Sequence, residues 1–364
     1  MTTSSIASAG TASRSPDVSP NFYGLTREAL SDRLVAAGQS AYRAVQIFGW
    51  VYQRRKRSSQ GMSNLPAALR KGLEPVCDLS LPRVASLLGT RDGKTHKFVF
   101  ELADGARVES VSMRSARGLT LCLSSQVGCA LKCSFCATGL MGLRRNLGPD
   151  EIVAQVVGMG DATGWKDERF NLVFMGMGEP LANPEAVLRA VRILRDPHGL
   201  NLGARRITVS TSGIVPGIER LAEEGVPLGL AVSLHATTDE LRDQLVPVNR
   251  RWPIRSLLGA ARAYGERVGR RVTLEYTLLA GVNDGPDDAE RLGRMARELP
   301  SKVNLIPYNP VPGLPYRRPT PESVTAFAES LYPHAPAVTV RKTLGGEIWA
   351  ACGQLGGLGP ESSG

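Results

Sequence analysis

A chain of 364 residues can bury one large core and a smaller appended domain. Its hydrophobic share of 42% and charged share of 21% are those of an ordinary soluble globular protein. No apolar run reaches the roughly 18 residues needed to cross a bilayer, and the opening Met1 to Pro20 lacks the basic and apolar regions of a secretory signal. A cytoplasmic protein with no membrane contact is therefore expected, and residues 1–21, rich in Ser and Thr, read as a disordered tail. The formal net charge of +10 is spread over pairs and short runs: Arg54 to Arg57, Arg144-Arg145, Arg205-Arg206, Arg250-Arg251, Arg270-Arg271, Arg317-Arg318 and Arg341-Lys342. Such pairs suit phosphate contacts made from several loops, and they suit a plainly solvated surface equally well.

Residues 22–75 read as a helical accessory domain. Tyr42, Val45, Phe48 and Tyr52 recur at three- and four-residue steps and form one apolar stripe, expected to be core, with the basic run Arg54 to Arg57 at its end. Residues 76–117 follow as a linking β-hairpin, because Lys97 to Leu102 and Arg107 to Val111 flank the turn signal Ala103-Asp104-Gly105-Ala106. From Gly118 to about residue 343 strands alternate with helices. The strand candidates are Leu119–Leu123, Asn171–Phe174, Arg206–Val209, Leu228–Ser233, Val272–Leu278 and Val303–Ile306. Helices are expected over Pro184–Leu194, Ile214–Glu223, Ile254–Val268 and Asp287–Glu298. Repeated strand–helix units imply a parallel sheet with its working loops at the strands' C-terminal ends. Six units over roughly 225 residues fall short of the eight of a closed barrel, so the fold class expected is α/β, a partial (βα)6 barrel. A doubly wound open sheet competes with it. Residues 344–364 form a C-terminal loop.

Three of the six cysteines fall within eight residues, as Cys129-Ala-Leu-Lys-Cys133-Ser-Phe-Cys136, in the loop after the first barrel strand. Soft thiolates at this spacing select zinc or an iron–sulfur centre. Zinc needs a fourth ligand, and no histidine lies between His96 and His198, which leaves only Cys122 nearby. Three cysteines without a fourth leave one iron of a cubane open to a substrate. The Gly-rich segment Phe174-Met175-Gly176-Met177-Gly178-Glu179-Pro180, then Ser210-Thr211-Ser212-Gly213, Ser233-Leu234-His235-Ala236 and Asn309 also stand at strand ends. Taken singly, each reads as turn or capping chemistry.

Together these segments resemble the radical S-adenosylmethionine superfamily, and within it the RlmN-type dual-specificity RNA methyltransferases. The match is carried by Leu121 to Cys129, by Gly-Met-Gly-Glu-Pro, by Ser-Leu-His-Ala, by Gly281-Val282-Asn283-Asp284 and by Ala350-Ala351-Cys352-Gly353-Gln354-Leu355. It runs from about residue 22 to the C-terminus. The resemblance implies a [4Fe–4S] cluster on Cys129, Cys133 and Cys136, with S-adenosylmethionine chelated to the fourth iron and cleaved to a carbon radical. It implies S-adenosylmethionine contacts from Gly178, Glu179, Ser210, Ser233, Leu234, His235 and Asn309, with no catalytic role for His235.

The reaction that the resemblance implies is methylation of adenine C2, an electron-poor carbon that a radical can attack. Cys352 would carry a methyl group from one S-adenosylmethionine, a second would generate the radical, and the resulting methylene would join Cys352 to the base. Glu109 would accept the C2 proton. Cys122 would attack the Cys352 sulfur and release the product with a transient disulfide, reduced by a cytosolic dithiol. Without the family, Cys122 and Cys352 would read as inert thiols and Glu109 as one half of an exposed ion pair. The implied substrates are 23S rRNA and tRNA, held by the helical domain, with flavodoxin or ferredoxin reducing the cluster in a monomeric enzyme. The alternatives are a sister enzyme that methylates C8 of the rRNA adenosine and confers antibiotic resistance, and a non-catalytic iron–sulfur or zinc protein that binds RNA as a redox sensor.

Overall fold

The computed structural model describes residues 19–116, 118–164 and 168–356; most of the tail expected over 1–21 lies outside them. The N-terminal domain is built on α1 (Arg27–Ala36), α2 (Arg43–Phe48) and α3 (Ala67–Lys71). Thr26 starts α1 by accepting the Ala29 N–H on its side chain, and Leu30 and Leu34, one turn apart, are buried. The apolar stripe divides. Phe48 and Tyr52 join Phe22 in an aromatic cluster with ring centroids 5.3 to 5.4 Å apart. Tyr42 instead stays 54% exposed, with the Arg43 guanidinium 4.6 Å from its ring centroid. It stands just ahead of α2, where the helix has not yet begun to turn its side chains inward.

Three antiparallel strands follow, β1 (Arg83–Gly89), β2 (Thr95–Glu101) and β3 (Arg107–Ser115). The anticipated hairpin is the β2–β3 pair, and it continues the main sheet rather than standing apart from it. Strand β3 pairs antiparallel with β4 (Gly118–Cys122), the first strand of the parallel layer. A short ribbon of β5 (Gln126–Gly128) and β6 (Leu143–Asn146) brackets α4 (Ala137–Leu140). The repeating units then run α5 (Pro149–Thr163), β7 (Phe170–Phe174), α6 (Pro184–Arg195), β8 (Ile207–Thr211), α7 (Val215–Glu223), β9 (Gly229–Ser233), α8 (Asp239–Leu245), α9 (Ile254–Val268), β10 (Val272–Leu278), α10 (Pro286–Arg297), β11 (Ser301–Pro307), α11 (Pro321–Leu331) and β12 (Val338–Val340).

The main sheet has ten strands in the order β1-β2-β3-β4-β7-β8-β9-β10-β11-β12, parallel from β4 onward. Each of the six strand candidates falls on one of β4 and β7 to β11, giving the partial barrel. The extra strand β12 spans three residues, too few to show a period. Helix α6 shows why the layers adhere: Ala186, Val187, Leu188, Ala190, Val191, Ile193 and Leu194 are buried, an apolar face turned into the common core. The N-terminal domain is fastened to the barrel's helices through Arg27 to Asp196 at 3.0 Å and Arg57 to Asp161 at 2.7 Å. Arg57, the last of the expected basic rim, is thus spent on the domain interface.

One buried cation ties the strand ends together. Arg242, on α8 and fully buried, donates to the carbonyls of Leu234 (3.0 Å), Ser212 (2.6 Å) and Ser233 (3.1 Å) and to Asn249 Oδ1 (2.9 Å). Burial lowers its guanidinium to about 10, so it stays charged at neutral pH. Its removal strands carbonyls that close β8 and β9, each costly when unpaired. Arg242→Ala is therefore expected to lose at least about 3 kcal/mol in urea unfolding. Arg242→Lys recovers little of it, because an ammonium cannot span four acceptors in the plane of a guanidinium.

Candidate active site

The cysteine loop is built on the β5–β6 ribbon. Cys129 donates its N–H to the Gly142 carbonyl at 2.9 Å, Cys136 donates to Cys133 at 3.2 Å, and Ser134 donates to Leu245 at 3.0 Å. Gly128, at φ 77°, sits so close that an added Cβ would lie 1.8 Å from the Gly142 oxygen, so only glycine admits this crossing. Phe135 packs edge-on against His235, ring centroids 5.0 Å apart. The three thiols line one cavity. Burial, and then the nearby Glu179 and Cys136, push Cys129 up to about 12. Burial, then Cys136 and Cys129, also push Cys133 up, and burial, then Cys352, pushes Cys136 up.

Thiols in this condition are poor free thiolates, and a cationic metal centre reverses the balance by deprotonating them outright. Among the described residues no three thiol, imidazole or carboxylate groups close on a point that one ion could occupy. A cubane makes no such demand, since each thiolate binds a separate iron. The residues fit a cluster and not a mononuclear zinc.

The cavity opens to solvent, and about 980 Å³ within it, open solvent included, is free of protein atoms. Its far wall comes from the strand ends. Gly178 has φ 97°, and a Cβ there would meet the Gln126 Cβ at 2.5 Å, so the turn can only be glycine. Gln126 Oε1 accepts the Glu179 N–H at 2.8 Å. The Glu179 carboxylate accepts from the Ser212 N–H at 2.7 Å and the Leu181 N–H at 3.0 Å, yet burial still raises it to about 7. Ser210, Ser233, His235 and Asn309 also line the cavity. Leu234 does not: it is fully buried, and its N–H bonds the Glu275 carbonyl at 3.0 Å. His235, at φ 60°, accepts the Thr277 N–H on Nδ1 at 3.0 Å. Burial and then Arg242 lower it to about 3, so it is neutral. Sequence reasoning missed Gln126, Arg242 and Arg341, whose value comes from neighbours distant in the chain.

The C-terminal loop closes one side. Cys352 lines this cavity and also an adjoining one that holds Cys122, with Met175, Ile306, Asn309 and Arg341 common to both. The two thiols are free. Cys122, 6% exposed, is pushed up to about 12 by burial, then by Cys352, against the pull of Arg341. Despite its glycines the loop is well anchored. Asn309 Nδ2 donates to the Cys352 carbonyl (3.1 Å), Ala137 N–H to Gly353 (2.8 Å), Thr138 Oγ1 to Leu355 (2.6 Å) and Gln354 Nε2 to Pro310 (3.0 Å). Gly356 donates its N–H to Glu109 Oε2 at 3.0 Å. Glu109 is largely buried, not a surface ion pair; its other oxygen lies 3.7 Å from Lys97 Nζ. Burial raises its carboxyl, opposed by Lys97 and the Gly356 N–H.

Family comparisons match most of the chain. The Radical SAM superfamily model matches residues 123–293, and the ribosomal RNA large subunit methyltransferase N-terminal domain matches residues 20–79. A probable dual-specificity RNA methyltransferase RlmN of Symbiobacterium thermophilum is 51% identical, over 91% of this chain and 90% of its own. The dual-specificity RNA methyltransferase RlmN of an Anaeromyxobacter species is 47% identical, over 94% and 92%. The crystal structure of a radical SAM methyltransferase from Sphaerobacter thermophilus superposes with a TM-score of 0.88 at 48% identity, over 92% of this chain and 99% of that one. With its three-cysteine loop, its glycine-lined cavity and its N-terminal domain, the chain belongs to the RlmN family of dual-specificity RNA methyltransferases, radical enzymes that use a [4Fe–4S] cluster and S-adenosylmethionine.

Proposed function

We propose that this enzyme methylates C2 of adenosine in 23S rRNA, at the peptidyl-transferase centre, and in tRNA, 3′ of the anticodon. It would consume two S-adenosylmethionine molecules per turnover and pass through a methylated Cys352. The observation that carries the reading is that Cys352 belongs to two adjoining cavities, one holding the three-cysteine loop and the other Cys122. One sulfur in that position can be loaded on one side and released on the other.

When bound, the cluster and S-adenosylmethionine supply one-electron chemistry that turns a methyl group into a carbon radical. The chain supplies position, dryness and proton handling. Cys129, Cys133 and Cys136 hold the cluster. Gly178 and Glu179, with Ser210, Ser233, His235 and Asn309, form the S-adenosylmethionine wall, where an ionised Glu179 faces the ligand's ammonium group. Leu234 lies behind this wall, and its backbone serves it only by bonding Glu275 and Arg242. Glu109 accepts the proton that C2 must lose. Cys122, as thiolate, attacks the Cys352 sulfur: an S–S bond forms, the S–C bond breaks, and its electron pair stays with the carbon, which takes a proton to become the methyl group. The disulfide must then be reduced by a dithiol, and the cluster by a flavodoxin- or ferredoxin-like donor. The enzyme acts as a cytoplasmic monomer.

RNA binding falls to the N-terminal domain. There the exposed Tyr42 stands beside Arg43, an aromatic side chain and a cation of the kind that meets unstacked bases and phosphates. The target base must leave its stack to enter a site this enclosed.

The reconstituted enzyme, given S-adenosylmethionine, a reductant and unmodified 23S rRNA fragment, is expected to yield 2-methyladenosine on nuclease digestion and mass spectrometry, and Cys352→Ala none. Appearance of 8-methyladenosine would move the enzyme to the sister reaction. Cofactor affinity follows Glu179. Ionisation favours binding, so S-adenosylmethionine affinity should weaken as pH falls through about 7. In equilibrium dialysis Glu179→Gln should bind weakly at every pH, without that slope.

A further inference from the structure

The sheet extension that precedes the barrel carries one charge that the reaction scheme leaves unused. In the β2–β3–β4 register Lys97 pairs with Val111, and Val111 with Cys122. Paired residues point to the same face, and so do residues two apart on a strand. Lys97, Glu109 and Cys122 therefore share one face of the sheet, which the C-terminal loop covers. Lys97 is 4% exposed. Its ammonium lies 3.7 Å from Glu109 Oε1 and donates to the Trp349 carbonyl at 3.4 Å.

A buried ammonium is costly, and an apolar side chain of like volume packs at least as well. Lys97 is thus poorly explained as a stabilising residue. It is well explained by its neighbour. The elements packed on Glu109 are β2, β4, the turn at Met177 and the C-terminal loop. On this face β2 carries Lys97 and Glu101, β3 Arg107, β4 the Cys122 thiol with Arg341 near it, and the loop the Cys352 thiol. Glu101 and Arg107 pair with each other at the exposed end, and Lys97 is the cation within ion-pair distance of Glu109. Met177 offers Glu109 only a thioether, 3.3 Å from its N–H, and the loop only the Gly356 amide.

We propose that Lys97 is a positioning residue for the proton-removing step: it keeps the Glu109 carboxylate ionised in a dry site and ties it to the loop that bears Cys352. The inference rests on the reading of Glu109 as the base. Without a cation the carboxyl would hold its proton and could not take one from C2. The Trp349 and Gly356 contacts fall three residues before and four after Cys352. The same lysine and carboxylate therefore fix where the base stands relative to the sulfur that holds the substrate.

The test is the pH dependence of single-turnover methyladenosine release, with RNA carrying deuterium at adenine C2 so that proton removal limits the rate. Lys97→Met is expected to move the acid limb upward by on the order of one pH unit, a loss of about tenfold at the acid end, while Lys97→Arg keeps the limb near that of the wild type. Glu109→Gln should leave RNA joined to protein at every pH. If Lys97→Met keeps the wild-type limb, or Lys97→Arg moves as far as Lys97→Met, the assignment of Lys97 is overturned while the base stands. If Glu109→Gln turns over normally, the base reading itself fails. Cluster absorbance and thermal unfolding confirm that each variant folds, and Lys97→Gln replaces Lys97→Met should the latter not fold.

Discussion

The site depends on the C-terminal loop lying over the sheet face formed by β2, β3 and β4. Buried Ala350, Ala351 and Leu355 pack it there, and hydrogen bonds fix its position. Asn309 holds the Cys352 carbonyl, the first turn of α4 holds Gly353 and Leu355, and Glu109 holds the Gly356 amide. Each contact ties the loop to a different part of the site: the Asn309 side chain, the helix that follows the cysteine loop and the Glu109 carboxylate. A single polypeptide crossing thus sets three distances at once, and net hydrogen-bond energies of about 1 kcal/mol each leave the loop able to open for substrate.

Burial shapes the electrostatics in a consistent direction. The thiols of Cys122 and Cys129 and the Glu109 and Glu179 carboxyls are all pushed toward their neutral forms. Each then meets a counterweight suited to its task. For Glu179 it is two backbone amides; for Cys122, Arg341; for Glu109, Lys97 and the Gly356 amide; in the proposed reaction the cluster and the ligand's ammonium complete the set. The protein interior keeps these groups quiet until a cation arrives, which suits a reaction whose intermediates must be kept from water.

Much of this was legible in the sequence. Alternation of strand and helix located β4 and β7 to β11. The cysteine spacing and the glycines Gly176 and Gly178 pointed to segments that the structure brings to one cavity. What stayed hidden depends on contacts between distant segments. The hairpin of β2 and β3 looked like a linker, because nothing in its own residues says that β3 pairs with β4. Lys97 stood there only as the first residue of a predicted strand, for the same reason. The stripe from Tyr42 to Tyr52 had a helical period, but the period cannot say where the helix starts, and Tyr42 falls just before it. Arg242 belonged to an unremarked helix; its importance comes from carbonyls on two strands and a turn.

The central claim is that Cys352 and Cys122 act in turn on one substrate carbon, and it predicts a fixed stoichiometry. Turnover without a dithiol reductant, followed by acid quench, alkylation and peptide mass spectrometry, counts the Cys122–Cys352 disulfide against methyladenosine formed. Equal amounts of the two are expected. Methyladenosine accumulating while both cysteines remain alkylatable would contradict the account.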